Sequence, residues 1–417
     1  MKQIKIEGGK ILSGEIKVSG AKNSAVALVP ASILCDEVVK IDNIPNISDI
    51  DALNEILEYL GAGVKRDGEI MKIDSSSIVN KKIPKGISKK LRASYYFMSA
   101  LLGKYKKVEM YFPGGCSIGA RPIDQTLKGF KALGANVVED GDKYTITADE
   151  LIGDYVYLDM PSVGATINTI LVAVKAKGTT IIENAAKEPE IVNVATFLNN
   201  MGAKIVGAGT SEIKITGVEK LHRCVHEVIP DRIEAGTYII AGALIGENLK
   251  ISNIINEHVE SLTSKLIEIG VKIKEGDDYL IVSRGDKYKS TNIKTLGYPG
   301  YPTDLQQPIT TLLTQCEGVS EIEETVYERR FQNVEYLNKM GAQIKINDNK
   351  AFIYGPTKLK GKCVTATDLR AGACLVLAGL VATGETTIEN VDHILRGYEN
   401  IIDKLGNVGA KIELLDI

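Results

Sequence analysis

The chain has 417 residues, 44% apolar and 25% charged, which is typical of a globular protein long enough for more than one domain. Its 50 basic and 53 acidic residues give a net charge of −3, which argues against a general nucleic-acid binder. Six cysteines without a C-x-x-C pair exclude a disulfide scaffold. No apolar run reaches the ~18–20 residues of a membrane span and no secretory signal is visible, so we expect a cytoplasmic protein that does not contact membranes.

One short phrase, in which a helical pattern ends in glycine and a β-like run follows, recurs six times. Its glycines are Gly61, Gly134, Gly202, Gly270, Gly341 and Gly409. The intervals between them are 73, 68, 68, 71 and 68 residues. Because glycine adopts the left-handed conformation at a helix end without a Cβ penalty, each phrase predicts a helix C-terminus followed by a strand. The chain therefore consists of six predicted repeats of about seventy residues.

Each repeat also contains an apolar segment rich in small residues. These segments span 21–34, 91–103, 163–178, 233–246, 305–318 and 369–384. Their apolar residues lie on nearly all sides, which is typical of a buried helix. One repeat cannot bury such a helix alone, so we expect three repeats to pack together. The sequence predicts an α/β fold of two similar lobes, each with three repeats and buried central helices.

The division between the lobes is expected midway through the repeats, near Ile229-Pro230. The first lobe would span residues 20–229, and the second would combine residues 1–19 with 230–417. Residues 2–18 are expected to form one strand that completes the last sheet of the second lobe. The chain would then cross between the lobes near Gly20 and Pro230, and two crossings predict a hinge that closes on a ligand.

Charged residues mark the loops before the helices, where helix N-termini form natural anion sites. Those before the buried helices are Lys22, Arg92, Asp231, Arg232, Glu234, Asp304, Asp368 and Arg370; those before the second helices are Arg121, Glu188, Glu190, Glu328, Arg330 and Arg396. If equivalent loops face the same way, these charges converge on one cleft. The alternative is that each charge is a helix cap or a surface ion pair.

The segment FPGGCSIGARP, residues 112–122, predicts a long loop, because two prolines and three glycines exclude a helix or a central strand. Its cysteine, Cys116, is five residues from Arg121, and a nearby arginine favours the reactive thiolate. The alternative is a structural cysteine. Cys35, Cys316 and Cys374 lie in apolar helical stretches and Cys224 and Cys363 in strand-like runs, which suits a structural role better.

Cofactor and metal motifs are weak in this chain. His222, Cys224 and His226 would share one face of a strand, but a metal site needs further converging ligands and none is near in sequence. There is no G-x-G-x-x-G and no Walker A motif. We predict neither a cofactor nor a metal.

Eight short motifs resemble one known family. They are KVSGAKNSA (17–25), PGGCSIGARPID (113–124), SVGAT (162–166), ENAAKEPEIV (183–192), IPDRIE (229–234), YPTDLQ (301–306), ATDLRA (366–371) and RGYE (396–399). Over essentially its whole length the chain resembles the UDP-N-acetylglucosamine 1-carboxyvinyltransferases, a family of enolpyruvyl transferases. The resemblance implies a pair of inside-out α/β barrels. It also implies transfer of the enolpyruvyl group of phosphoenolpyruvate to the 3-hydroxyl of UDP-N-acetylglucosamine with release of phosphate, the first committed step of peptidoglycan synthesis.

The resemblance also implies the roles of individual residues. Cys116 would donate a proton, form an adduct with phosphoenolpyruvate and be the target of fosfomycin, and Asp304 would take the proton of the 3-hydroxyl. The other residues implied in catalysis or substrate binding are Lys22, Asn23, Arg92, Arg121, Pro122, Asp124, Ser162, Val163, Gly164, Val326, Asp368, Arg370 and Arg396. Met160 stands where some relatives carry a lysine, so one contact to the nucleotide phosphate is not expected.

Two alternatives remain at the level of the sequence. A 5-enolpyruvylshikimate-3-phosphate synthase would have the same repeat and the same donor substrate, but the loop 113–122 favours the nucleotide sugar. A non-catalytic repeat protein could use the cleft as a small-molecule sensor, but the presence of Cys116, Asp304 and the basic residues together argues against it.

Overall fold

The structure is a computed structural model that describes residues 2–111 and 123–416. The described residues divide into two compact units. One, called the unit of residues 20–229, consists of residues 20–111 and 123–229, and the other consists of residues 2–19 and 230–416. Each unit has its own hydrophobic core. No helix of the described residues combines the length and the apolar character that a membrane crossing requires.

The elements follow the predicted order of short strands and helices. The strands are β1 Lys2–Glu7, β2 Leu12–Lys17, β3 Val38–Asp42, β4 Gly63–Asp67, β5 Ile70–Asp74, β6 Lys107–Tyr111, β7 Asn136–Asp140, β8 Lys143–Thr147, β9 Tyr155–Tyr157, β10 Thr179–Glu183, β11 Lys204–Val206, β12 Glu212–Thr216, β13 Val225–Glu227, β14 Gly246–Ser252, β15 Lys272–Glu275, β16 Tyr279–Ser283, β17 Asn292–Lys294, β18 Gly318–Glu323, β19 Gln343–Asn347, β20 Lys350–Gly355, β21 Cys363–Thr365, β22 Glu385–Glu389 and β23 Lys411–Asp416. The helices are α1 Lys22–Ala31, α2 Ser48–Leu60, α3 Lys85–Ser88, α4 Tyr96–Tyr105, α5 Asp124–Ala132, α6 Val163–Ala173, α7 Pro189–Asn200, α8 Arg232–Ile245, α9 Glu260–Ile269, α10 Gln306–Leu313, α11 Asn333–Lys339, α12 Leu369–Val381, α13 Asp392–Leu395 and α14 Ile401–Asn407, with 3₁₀ turns at Ser32–Leu34, Arg92–Tyr95, Asn256–His258 and Thr303–Leu305.

Each repeat contributes one small sheet. In the unit of residues 20–229 the strand orders are β13-β3-β5-β4, β6-β8-β7 and β11-β12-β10-β9. In the other unit they are β15-β16-β14-β2, β17-β18-β20-β19 and β21-β22-β1-β23. These orders are open, and no sheet among the described strands closes on itself. The predicted α/β class is thus confirmed, with separate sheets around buried helices.

The N-terminal segment differs from the expectation of a single strand. It forms two strands in two sheets: β1 lies between β22 and β23, and β2 runs parallel to β14. The break falls at Gly8-Gly9, where Gly9 has a φ of +78°. A Cβ on Gly8 would lie 2.1 Å from the carbonyl oxygen of Ala382, so packing against another repeat fixes the turn there.

The small-residue helices are buried, as predicted. In the unit of residues 2–19 and 230–416, α8, α10 and α12 pack against one another. In the other unit, α4 packs against α1 and α6. All twelve residues from Leu369 to Leu380 of α12 are buried, including one arginine. A charge in such a helix is costly unless it is paired, so this arginine must have partners.

Candidate active site

An aspartate precedes each buried helix in the unit of residues 2–19 and 230–416. Asp231 caps α8 by accepting the backbone N–H groups of Ile233 and Glu234, at 2.8 and 3.0 Å. Asp368 caps α12 in the same way. Asp304 lies in the 3₁₀ turn before α10, and neither the turn nor α10 has a side-chain cap. Asp304 is therefore the one of these three carboxylates that does not serve a helix end.

Two arginines hold the Asp304 carboxylate. Arg330 donates to Oδ1 at 2.7 Å, and Arg370, the arginine buried in α12, donates to Oδ2 at 3.0 Å. Only 4% of each arginine side chain is exposed, whereas 25% of the Asp304 side chain is. The carboxylate therefore keeps an open side while its two oxygens are fixed.

The charges around Asp304 keep it ionised. Burial alone would raise the pKa of its carboxyl, but Arg370 and Arg330 outweigh burial and hold that pKa well below its usual range. Arginine stays protonated in proteins, so this effect persists over the working pH. Asp304 is therefore an ionised hydrogen-bond acceptor at any ordinary pH.

Each arginine is held on its other side as well. The Nη1 of Arg330 donates to the Thr303 hydroxyl at 2.8 Å, and Thr303 donates to the buried Glu324 at 2.9 Å. The Nη1 of Arg370 donates to the Tyr398 hydroxyl at 3.0 Å, and its guanidinium lies 5.3 Å from the centre of that ring.

The remaining predicted residues of this unit lie at element ends. Asp368 is buried and, besides capping α12, accepts a hydrogen bond from Gln307 at 3.3 Å. Arg396 is half-buried and follows α13. Val326 is exposed, and its N–H donates to Glu324 at 2.8 Å. The sequence placed Arg330 among the loop charges expected at the cleft but gave it no catalytic or binding role, and it gave none to Tyr398, which lies in the RGYE motif.

In the unit of residues 20–229, Lys22 and Asn23 open α1. Lys22 forms an ion pair with Asp49 at 2.9 Å, in which both side chains are largely buried. Arg92 begins a 3₁₀ turn and is half-buried. The same turn contains Tyr95, whose hydroxyl would lie 1.9 Å from a Cβ at Gly164. A side chain at position 164 would displace the Tyr95 ring, so the Arg92 turn packs against the start of α6 through Gly164.

The predicted nucleotide contacts surround the N-termini of α5 and α6. Ser162 caps α6 by accepting the Ala165 N–H, and Val163 and Gly164 form its first turn. Asp124 is exposed at the start of α5. Lys128 of α5 forms an ion pair with Asp159 at 2.6 Å, next to Met160, which is 62% exposed. Lys128 is thus paired with the residue that precedes Met160, the position at which some relatives carry a lysine.

Cys116, Arg121 and Pro122 lie outside the described residues. The five described cysteines are free. His222, Cys224 and His226 do not converge: His222 is exposed beside Glu37, whereas His226 is buried between Asn193 and Asn200. Burial lowers the pKa of His226 to about 4, so it is neutral. Within 2–111 and 123–416, no three His, Cys, Asp or Glu side chains are grouped as metal ligands.

The fold and the site together define an enolpyruvyl transferase. A solved structure, the enolpyruvyl transferase NikO from Streptomyces tendae, superposes with a TM-score of 0.91 at 29% identity and covers 99% of both chains. EPSP synthase from Acinetobacter baumannii shares the fold, with a TM-score of 0.75 at 17% identity over 100% of both chains. The model of the family EPSP synthase (3-phosphoshikimate 1-carboxyvinyltransferase) matches residues 6–405, and the chain belongs to this family.

Other relatives have a higher sequence identity to this chain than these solved structures do. A UDP-N-acetylglucosamine 1-carboxyvinyltransferase 2 from Geobacillus kaustophilus is 53% identical over 412 residues, 99% of this chain and 96% of the relative. One of the same name from Bacillus cereus is 54% identical over 413 residues, with the same coverage. The resemblance recognised in the sequence motifs is thereby confirmed.

Proposed function

We propose that this protein transfers the enolpyruvyl group of phosphoenolpyruvate to the 3-hydroxyl of UDP-N-acetylglucosamine, with release of phosphate, in peptidoglycan synthesis. The observation that carries the proposal is identity above 50% to enzymes of that name over 99% of the chain. Asp304 and its two arginines support it, because this chemistry requires a base for the sugar hydroxyl beside positive groups for an anionic substrate.

The proposed reaction has three proton transfers. Protonation of phosphoenolpyruvate at C3, by Cys116, makes C2 electrophilic. The 3-hydroxyl oxygen then bonds to C2, and its proton passes to Asp304. Loss of a C3 proton, back to the Cys116 thiolate, and of phosphate from the resulting adduct restores the double bond in the product.

The low pKa of Asp304 suits a late proton transfer. A carboxylate held by two arginines is a weak base toward a free hydroxyl. However, once the hydroxyl oxygen bonds to C2 while it keeps its proton, that proton is strongly acidic, and Asp304 can take it. We therefore propose that Asp304 orients the hydroxyl first and accepts its proton as the C–O bond forms.

We propose further that the anionic substrates bind to Lys22, Arg92, Arg121, Arg370 and Arg396. Phosphoenolpyruvate is compact and highly charged, so several arginines and lysines are needed to neutralise it. Asn23, Asp124, Ser162, Val163, Gly164, Val326 and Asp368, with Pro122, remain the proposed contacts to the sugar and the nucleotide.

The test is phosphate release from phosphoenolpyruvate with each acceptor supplied alone. We expect release with UDP-N-acetylglucosamine, and mass spectrometry should find the enolpyruvyl ether of the nucleotide sugar. Release with shikimate 3-phosphate instead would make the chain an EPSP synthase in activity as well as in family. Release with neither acceptor would refute the proposal.

Asp304→Ala provides the internal control for this assay. Removal of a general base typically costs about 10²–10⁴ in rate, so kcat should fall by about 100-fold or more. Binding of UDP-N-acetylglucosamine, measured by calorimetry, should stay within a few-fold of the wild type. A kcat within a few-fold of the wild type would show that Asp304 is not the base.

A further inference from the structure

The surroundings of Asp304 contain two residues that the proposed reaction has not used. Arg330 holds one carboxylate oxygen directly. Tyr398 acts one step away, through the arginine that holds the other oxygen. Both residues are almost fully buried, with 3% and 1% of their surface exposed. Neither can therefore be a chance contact of a mobile surface side chain.

Arg330 has a fixed orientation because its contacts continue into the protein. Its Nη1 donates to Thr303, the residue before Asp304, and Thr303 donates to Glu324. Glu324 in turn accepts the N–H groups of Val326 and Tyr327, at 2.8 and 3.2 Å. The loop that carries Arg330 and the turn that carries Asp304 are thus tied together through one buried carboxylate.

Tyr398 fixes the other arginine. Its hydroxyl accepts from Arg370 and pairs with the hydroxyl of Thr237 on α8 at 2.9 Å. Burial raises the pKa of Tyr398, so the phenol stays neutral and keeps both hydrogen bonds. The guanidinium also lies near the Tyr398 ring, where a cation is attracted to the aromatic face.

We infer that Arg330 and Tyr398 are positioning residues that set the direction of the Asp304 carboxylate, Arg330 by direct contact and Tyr398 through Arg370. The inference rests on the proposed role of Asp304 as the proton acceptor. The sequence repeat supports it: the equivalent aspartates, Asp231 and Asp368, are oriented by their own helices, whereas Asp304 lacks that support. The two arginines replace the helix end as the structure that orients the carboxylate.

The experiment compares two variants with two matched controls. Arg330→Gln removes the contact to Oδ1, and Arg329→Gln removes the same charge from an exposed neighbour. Tyr398→Phe removes one buried hydroxyl, and Tyr238→Phe removes another, on α8, that does not contact Arg370 or Asp304. Circular dichroism and UDP-N-acetylglucosamine binding verify that each variant is folded.

We expect kcat to fall about 10–100-fold in Arg330→Gln and about 10-fold in Tyr398→Phe, since a misplacement of about 1 Å can cost about 10²-fold. Each control should stay within about two-fold of the wild type. Arg330→Lys should recover part of the rate, because it restores a charge but not the planar fork. Equal effects in a variant and its control would overturn the inference.

The pH profile separates positioning from a merely structural role. In the wild type Asp304 is ionised over the whole working pH range, so no acid limb of kcat is expected from it. Removal of Arg330 should raise the pKa of Asp304, so kcat of Arg330→Gln should decline toward acid pH more than kcat of the wild type does. Acid declines that coincide in the two proteins would contradict the inference. A readout independent of activity is a crystal structure of each variant: the Asp304 carboxylate should turn away from its present position in Arg330→Gln and Tyr398→Phe only. If the wild type makes no product but the carboxylate turns, the proposed function fails and the positioning stands.

Discussion

At the scale of single residues, burial decides which cysteines can react. Burial raises the pKa of Cys316 to about 12 and that of Cys374 to about 11. It raises the pKa of Cys224 to about 11, and those of Cys35 and Cys363 in the same direction. The nucleophile is the thiolate, so a raised pKa disfavours the reactive form of all five described cysteines.

We therefore predict that fosfomycin modifies the native protein once, on Cys116. Arg121, five residues away in the sequence, favours the thiolate form of Cys116, whereas burial disfavours the thiolate form of the other five cysteines. Intact-mass and peptide mass spectrometry should find one adduct, on the peptide that contains FPGGCSIGAR. Cys116→Ser should abolish it, and Cys363→Ser, which removes the exposed described cysteine, should not. An adduct on Cys363, or none, would contradict the prediction.

At the scale of elements, the repeated glycines end helices as the sequence predicts. The φ angles of Gly61, Gly134, Gly202, Gly270, Gly341 and Gly409 lie between +91° and +111°. A less visible repeat lies at the ends of β3, β10 and β14. There Asn43, Asn184 and Asn253 adopt a φ of +57° to +58°, and their side chains donate to a carbonyl at the neighbouring parallel strand.

Two glycine-to-alanine substitutions, one just after a helix and one inside a helix, should change stability in opposite directions. Gly202→Ala meets only an ordinary contact with His222 at 3.4 Å, so its cost, about 1–2 kcal/mol, is that of a left-handed backbone. Gly406→Ala lies inside α14 with open space around it and should stabilise by up to about 1 kcal/mol.

Urea unfolding followed by circular dichroism measures both changes. The two midpoints should move in opposite directions from that of the wild type. An unchanged midpoint in Gly202→Ala would contradict the prediction, because it would show that alanine adopts the left-handed conformation at that helix end without a loss of stability.

At the scale of the whole molecule, the chain builds two cores that share no residue. One core contains Phe197, with no exposed surface, and the other contains Leu266, also fully buried. The two units are closed differently: β13, at the end of the run 20–229, pairs with β3 of the same run, whereas β2, from the N-terminal residues, pairs with β14. Only the unit of residues 2–19 and 230–416 therefore requires a segment that comes from beyond its main run of sequence.

We predict that the two units unfold as separate cooperative blocks. Phe197→Ala and Leu266→Ala should each lower the free energy of unfolding of their own unit by about 2–5 kcal/mol. In a unit of this size, that loss lowers the melting temperature by an amount on the order of 10 °C. Calorimetry should show each variant lowering a different part of the unfolding profile. If both variants shifted the whole profile equally, the chain would unfold as one block.

The sequence by itself determined the repeat, the helix ends and the buried helices. These depend on local chemistry, namely glycine at a left-handed position and apolar residues on all sides of a helix, and local chemistry is visible in one stretch of chain. The motifs also gave Asp304 a role. The family and its closely similar relatives confirmed the class of protein that those motifs indicated.

Only the tertiary structure decided which groups meet. Arg330 and Arg370 reach the Asp304 carboxylate from two different repeats, Tyr398 holds Arg370, and Arg370 is 66 residues from Asp304. The break between β1 and β2 likewise depends on the approach of Ala382 to Gly8. Such contacts depend on the packing of distant segments, whereas spacing along the chain records only what lies nearby. The direction of the Asp304 carboxylate is therefore a property of the folded unit, and the sequence did not indicate that Arg330, Arg370 and Tyr398 act together on it.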